Sequence, residues 1–163
     1  MRSVVLPSAL AGVFLRRLHV SDAPALHQLL SENKAHLTAY GDYLTQGNAE
    51  IADIEAELLL SPDLNWRFGI FLGNVLVGRV DLIGVEPPRY GLGYWLAANH
   101  LGKGLATEAV RLVLAFAAQE LSATDVFAGV TLRNVRSAKL LERLGFRSVA
   151  QFDTYTRYHL VLD

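Results

Sequence analysis

Gly93-Tyr94-Trp95-Leu96-Ala97-Ala98-Asn99-His100-Leu101-Gly102-Lys103-Gly104-Leu105-Ala106-Thr107-Glu108 reads as a strand, a glycine turn and the opening of a helix. Gly102 and Gly104 let the backbone turn tightly and present its N–H groups. Together with the positive end of the helix dipole, those groups make a site for a phosphate or pyrophosphate, and Lys103 adds charge. Two common phosphate loops do not fit. A Walker loop requires Gly at position 97 and Ser or Thr after the lysine, where this chain has Ala97 and Gly104. A dinucleotide fingerprint starting at Gly102 requires Gly or Ala at 107, and one starting at Gly91 requires it at 96; Thr107 and Leu96 stand there. The plain alternative is that the glycines only shape a loop ahead of a helix.

Outward from this loop, the chain alternates strands and helices. Downstream, Val110, Val113, Leu114, Ala117 and Leu121 recur at helical spacing. A strand is expected over 125–132 and a helix from Asn134 to Leu144, ended by Gly145 in a left-handed conformation with Phe146 folding back. Two strands near 147–152 and 156–162 close the chain. Upstream, Val13 to Leu18 reads as a strand, and Ser21 or Asp22 caps a helix through about Glu32. A connector with Tyr40, Gly41, Asp42, Tyr43 and Gly47 leads to a helix from about Ala49 to Leu60. Residues 66–73 and 75–83 form a hairpin through Gly73-Asn74. Val85 to Tyr90, with two prolines, is expected to be a loop, and Leu92 to Ala97 a short strand. The pattern predicts one α/β domain over 1–163 with a mixed sheet and about four helices.

Composition sets the limits. The 163 residues are 52% hydrophobic and 19% charged, as a compact globule requires. Lys plus Arg is 15 against 16 Asp plus Glu, a net charge of −1 that gives nucleic-acid binding no electrostatic support. Cysteine is absent, which removes thiolate chemistry and disulfides. No apolar run reaches the roughly 18 residues of a membrane span. Arg2 and Ala9-Leu10-Ala11 imitate a secretion signal, but Pro7 interrupts the stretch. The expected setting is the cytoplasm, with no membrane partner.

The loop and its flanks resemble the acyl-CoA pyrophosphate loop of the GCN5-related N-acetyltransferase (GNAT) superfamily, whose pattern is Arg or Gln, two residues, Gly, one residue, Gly or Ala. Here it reads Asn99-His100-Leu101-Gly102-Lys103-Gly104, with Asn at the first position. Gly93-Tyr94-Trp95-Leu96 and Leu105-Ala106-Thr107-Glu108-Ala109 are similar to the RimJ/RimL-like branch. So are Asn134-Val135-Arg136-Ser137-Ala138-Lys139-Leu140-Leu141-Glu142-Arg143-Leu144-Gly145-Phe146 and Leu15-Arg16-Arg17-Leu18 with Asp22-Ala23. The resemblance spans nearly the whole chain in order. It implies a twisted, mostly antiparallel mixed sheet with an acyl-CoA cleft where two parallel strands splay. Acetyl-CoA is then the acyl donor. Main-chain groups of Trp95 and Leu96 would pair with pantetheine amides. Leu101, Gly102, Lys103, Gly104, Leu105 and Ala106 would hold the pyrophosphate. Asn134 would contact the cofactor arm, and Arg136 or Lys139 would reach phosphates, though these two equally suit a solvated helix face.

Direct acetyl transfer to an amine needs a proton acceptor, an oxyanion donor and an acid. The N–H of Leu96 is the expected oxyanion donor. Ser137 matches the position the branch uses as acid near the sulfur; the alternative is a first-turn serine bonding its own backbone. Related sequences often carry Glu two residues before the Gly of the Gly-Tyr-Trp run, where this chain has Gly91. Asp81 is the first substitute as base, followed by Glu86, Asp153, His159 or a water relay. No spacing supports a metal site, and no serine sits in a nucleophile elbow. Residues 34–47 and the hairpin from Phe152 to Tyr158 are expected to set acceptor specificity through Tyr40, Tyr43, Tyr155 and Tyr158. A protein N-terminus, a small-molecule amine and an amine-bearing antibiotic remain as acceptors, and the protein as monomer or homodimer. The competing function is a CoA-binding sensor without turnover on the same scaffold.

Overall fold

The computed structural model describes residues 1–163. One eight-stranded sheet carries the architecture, in the order β1-β2-β3-β4-β5-β6-β8-β7. The strands are β1 (Val5–Pro7), β2 (Val13–Arg17), β3 (Asn65–Leu72), β4 (Val75–Glu86), β5 (Arg89–Leu96), β6 (Asp125–Thr131), β7 (Arg147–Gln151) and β8 (Tyr155–Val161). Every pairing is antiparallel except β5 with β6. That parallel pair needs a long crossover, which α5 (Leu105–Glu120) supplies. The other helices are α1 (Ala23–Glu32), α2 (Lys34–Leu37), α3 (Leu44–Gly47), α4 (Ile51–Leu59) and α6 (Val135–Arg143).

Helices cover both faces. The apolar stripe of α5 (Ala109, Val110, Val113, Phe116 and Ala117) packs with Phe68, Val80, Leu82 and Val126 of the sheet and with Leu140 and Leu141 of α6. On the opposite face, Leu26 and Leu30 of α1, Ile54 and Leu58 of α4, and Leu37 enclose Trp95. Close packing dictates one small residue: a Cβ on Gly78 would lie 2.5 Å from the Trp95 carbonyl oxygen. Helix α6 ends as its sequence requires. Gly145 has φ +96°, and the Phe146 N–H donates to the Leu141 carbonyl at 3.0 Å, closing a Schellman turn.

The structure departs from the expected element list in three places. There are six helices rather than about four, because the connector folds into the single turns α2 and α3. Residues 85–90 are not a loop: β4 runs to Glu86 and β5 starts at Arg89, in register with each other. The two prolines occupy only the turn, where no ladder N–H is needed. Val5–Pro7 forms an additional edge strand, a position that tolerates proline. The buried Arg17 guanidinium secures this edge. It sits 3.9 Å from the Trp66 ring centroid and donates to the carbonyls of Arg2 (3.2 Å) and Asn65 (3.1 Å).

Candidate active site

Strands β5 and β6 pair only from Arg89/Asp125 to Leu92/Ala128 and then part. Beyond that point β5 keeps its register with β4 but has no strand on its other side. The N–H of Ala97 donates to the Val77 carbonyl, so alternation commits the peptide groups of Trp95 to β4 and turns those of Tyr94 and Leu96 into the gap. Side chains of the connector meet these groups. The Tyr43 hydroxyl donates to the Tyr94 carbonyl at 2.7 Å, and His36 Nε2 lies 3.2 Å from the Leu96 carbonyl. Neighbouring Asp42 reaches the other strand, accepting from Thr131 Oγ1 at 2.7 Å. Consecutive connector residues thus span the splayed strands and roof a cavity of about 340 Å³.

Inside it, the Tyr94 hydroxyl and Ser137 Oγ are hydrogen-bonded to each other. Ser137 is therefore not a serine that merely bonds its own backbone; its N–H is capped separately by Asn134 Oδ1 at 3.2 Å. Burial pushes the Tyr94 phenol up to about 12. Burial, reinforced by the Asp42 carboxylate, also pushes the Tyr43 phenol up. At neutral pH both phenols are proton donors.

At the far end of the cavity, Gly102 (φ +79°) and Gly104 (φ +76°) bring the chain into α5. None of the amides from Gly102 to Thr107 donates to another backbone carbonyl. Lys103 and Arg143 border this loop without an ion-pair partner, while Arg143 donates to Thr107 Oγ1 at 3.2 Å. An array of free amides at a helix N-terminus, with unspent cations beside it, is suited to a diphosphate.

Comparisons with known proteins give this geometry its family. The model of the acetyltransferase (GNAT) domain matches residues 13–147. The chain belongs to the GNAT acetyltransferases. It is 35% identical over 145 residues to "Probable N-acetyltransferase YjcK" of Bacillus subtilis (strain 168), covering 82% of this chain and 80% of the relative. It is 30% identical over 151 residues to "Uncharacterized N-acetyltransferase p20" of Bacillus licheniformis, covering 88% and 83%. Among solved structures, a RimL ribosomal L7/L12 alpha-N-protein acetyltransferase in complex with coenzyme A superposes with a TM-score of 0.86 at 21% identity, over 98% of this chain and 99% of that one. Mycobacterium smegmatis RimJ in complex with CoA-disulfide superposes at 0.77 and 20% identity, over 91% and 81%. The protein is an N-acetyltransferase on a RimJ/RimL-like GNAT fold.

Within that GNAT framework, the expected site residues separate into groups. Trp95, Leu96, Leu101, Ala106, Asn134, Arg136 and Ser137 line the cavity. Gly102, Lys103 and Gly104 lie exposed in the loop, and Leu105 is buried beneath it. Lys139 is exposed on α6 and does not line the cavity. Asp81 lies elsewhere, on the sheet face opposite α5, in an open groove of about 420 Å³ floored by Gly91, Gly93 and Gly129. Both of its oxygens are engaged: Oδ1 accepts from Arg79 Nε at 2.9 Å and Oδ2 from Arg67 at 3.0 Å. Glu86 pairs with Arg89 at the hairpin turn, His159 pairs with Asp125 at 2.7 Å, and Asp153 is exposed between β7 and β8. No group of three or more His, Asp or Glu side chains is placed to hold a metal.

The site also holds Tyr94, Asp42, Thr131 and Arg143, to which the sequence pattern assigns no role. Tyr94 stands inside the Gly93-Tyr94-Trp95-Leu96 run, where alternation with Trp95 is the signal for it. For the other three, only the folded chain brings them to the site.

Proposed function

We propose that this protein moves the acetyl group of acetyl-CoA onto the α-amine of a protein or peptide N-terminus. The observation that carries the proposal is the Tyr94–Ser137 hydroxyl pair inside the gap between β5 and β6, with free loop amides at the gap's other end. The Leu96 main chain and that of Tyr94 would receive the pantetheine amides as an added strand does, in place of their bonds to His36 and Tyr43. The peptide groups of Trp95, committed to β4, would take no part. The loop from Leu101 to Ala106 would hold the pyrophosphate, with Lys103 and Arg143 beside it. Asn134 has its amide nitrogen free for the cofactor arm, and Arg136 reaches the same cavity.

In the transfer, the amine nitrogen attacks the thioester carbonyl carbon and the carbonyl oxygen becomes an oxyanion. The Leu96 N–H, on the gap side of β5, stabilises that oxygen. As the C–S bond breaks, the thiolate sulfur takes a proton from the Tyr94–Ser137 pair, and the proton that the nitrogen loses after attack restores the pair through water. The incoming amine arrives as an ammonium ion and must lose protons. Asp81 is poorly placed for that task, since a proton added there must displace an arginine. Asp42 is the carboxylate of the cavity, engaged only by a neutral hydroxyl. We assign it the ammonium, from which the proton passes to water.

A peptide N-terminus is favoured over a compact amine by the open glycine-floored groove leading away from the cavity. The RimL neighbour, an alpha-N-protein acetyltransferase, points the same way. The test is release of CoA thiol from acetyl-CoA against N-terminal peptides, lysine side-chain amines and small amines. Faster release with N-terminal peptides is expected. Tight acetyl-CoA binding without release for any amine would overturn the enzyme reading in favour of a sensor.

A further inference from the structure

The groove beside the active-site cavity has a simple charge balance. Arg67 and Arg79 are matched by Glu57 and Asp81 in one connected network, with Arg79 also donating to Glu57. Asp125 is hydrogen-bonded to His159 at 2.7 Å. Arg157 is left over. It stands opposite Gly129 in the β6–β8 register, so its side chain emerges on the face where Gly129 has none. It makes no ion pair and no hydrogen bond; its guanidinium lies 4.4 Å from the centroid of the Phe127 ring, which itself stacks on His159 at 4.6 Å. Arg147, in register with His159 on the neighbouring strand, also has no ion-pair partner.

Stacking on Phe127 holds the Arg157 guanidinium as a planar fork with its N–H donors unspent. Such a fork matches a carboxylate. Beside it the Tyr155 ring covers Gly129, 3.2 Å from where a Cβ would lie, but the floor over β5 is open: a Cβ on Gly93 would meet nothing within 4 Å and one on Gly91 only Val85 and the Ile83 carbonyl, at 3.7 and 3.9 Å. The chain of an extended peptide can lie directly on this floor. From these relations we infer that the acceptor is an acidic N-terminal segment whose carboxylate side chain, a few residues after the reacting amine, pairs with Arg157. This rests on the N-terminal acetylation proposed above and names the class of peptide.

The test uses hexapeptide amides identical except for Glu, Gln or Lys at the second to fourth positions, so that the peptide's own C-terminus carries no charge. Two readouts are taken: thiol release with acetyl-CoA, and calorimetric binding of each peptide to the CoA-saturated protein. Glu peptides should bind and react about two- to fivefold better than Gln peptides at low salt, the scale of one ion pair at an exposed site. Arg157→Gln should abolish that preference and Arg157→Glu should shift it to Lys peptides, with thermal midpoint and acetyl-CoA affinity unchanged. Equal binding of Glu and Gln peptides, or a preference that survives Arg157→Gln, would overturn the assignment. Charge-selective binding without thiol release would sustain it while defeating the proposed catalysis. A free dicarboxylic amino acid that outcompetes every peptide would also overturn it.

Discussion

The Tyr94 hydroxyl and Ser137 Oγ form one hydrogen-bonded unit that joins β5 to the first turn of α6 across the mouth of the GNAT cleft. Neither residue has this role by itself. Tyr94 reaches the unit because alternation sends its side chain to the α5 side of the sheet, and Ser137 is held there by the Asn134 cap. Residues that act as a unit are non-additive when removed.

Tyr94→Phe and Ser137→Ala should each lower kcat by about 10- to 100-fold, the lower part of the range for proton transfer by a positioned group. The double variant should be little worse than the slower single one, and acetyl-CoA affinity should change little. Steady-state kinetics and calorimetry on the three variants check this. Two losses that multiply would show that the hydroxyls act separately.

Much of this architecture was legible in the sequence, for identifiable reasons. Helix α5 announces itself through five apolar residues at one period, and α6 through Gly145 and Phe146 at its end. Strand, glycine loop and helix in that order mark β5 and α5, while the parallel pairing of β5 with β6 is what the family resemblance implies. The rest depends on partners distant in the chain. Pro87-Pro88 hid the full length of β4 and β5, because proline marks a turn without saying how short it is. Asp81 looked free on its strand; its arginines come from β3 and from two residues earlier on β4, and that arrangement follows from sheet register. Asp42 and Thr131 are 89 positions apart, so no local pattern joins them.

Gly102 and Gly104 are required for their backbone angles and not for space, since a Cβ at either would meet nothing within 4 Å. Gly104→Ala should weaken acetyl-CoA binding by about 5- to 30-fold, from the roughly 1–2 kcal/mol of holding alanine at positive φ. Gly104→Asn should be milder, because asparagine visits that region more readily. Calorimetry separates the two; equal losses would point to crowding of the ligand instead of backbone strain.

Asp81 stitches the β3–β4 hairpin to α4 through Arg67, Arg79 and Glu57. Asp81→Asn should cost about 2–3 kcal/mol of stability, less than a fully enclosed pair because the carboxylate is partly exposed. Denaturant unfolding measures that loss. The pH–rate profile should keep its shape, with kcat within about threefold of wild type, whereas removal of a general base costs about 10²–10⁴. Loss of the acidic limb of that profile would return the base role to Asp81.

The raised phenols of Tyr43 and Tyr94 make stability depend on alkaline pH. A raised folded value favours the protonated form, so the contribution is whole below the ordinary phenol value of about 10 and drains away above it. For Tyr94 the drain continues to about 12. Ultraviolet titration should show these two phenols ionising well above the ordinary phenol value of about 10. Tyr94→Phe should flatten the decline in stability between roughly pH 10 and 12. A native protein in which all phenols titrate together near the ordinary value would refute the buried placement.

Asp42 is tied to Thr131 by a neutral hydroxyl, which leaves its charge available at the cavity. If it receives the acceptor as an ammonium ion, its value depends on the acceptor's protonation. Asp42→Asn should raise KM for a peptide N-terminus about 10- to 100-fold at pH 6.5, from the roughly 1.5–3 kcal/mol of a hydrogen bond to a charged group. Above the α-amine pKa of about 8 the acceptor is neutral, and the gap between variant and wild type should narrow. Thr131→Val serves as the structural control: it removes the same tie but keeps the carboxylate, so its effect on KM should not vary with pH. A deficit in Asp42→Asn that stays constant from pH 6.5 to 9 would make the residue a strut for the connector rather than the anchor of the incoming amine.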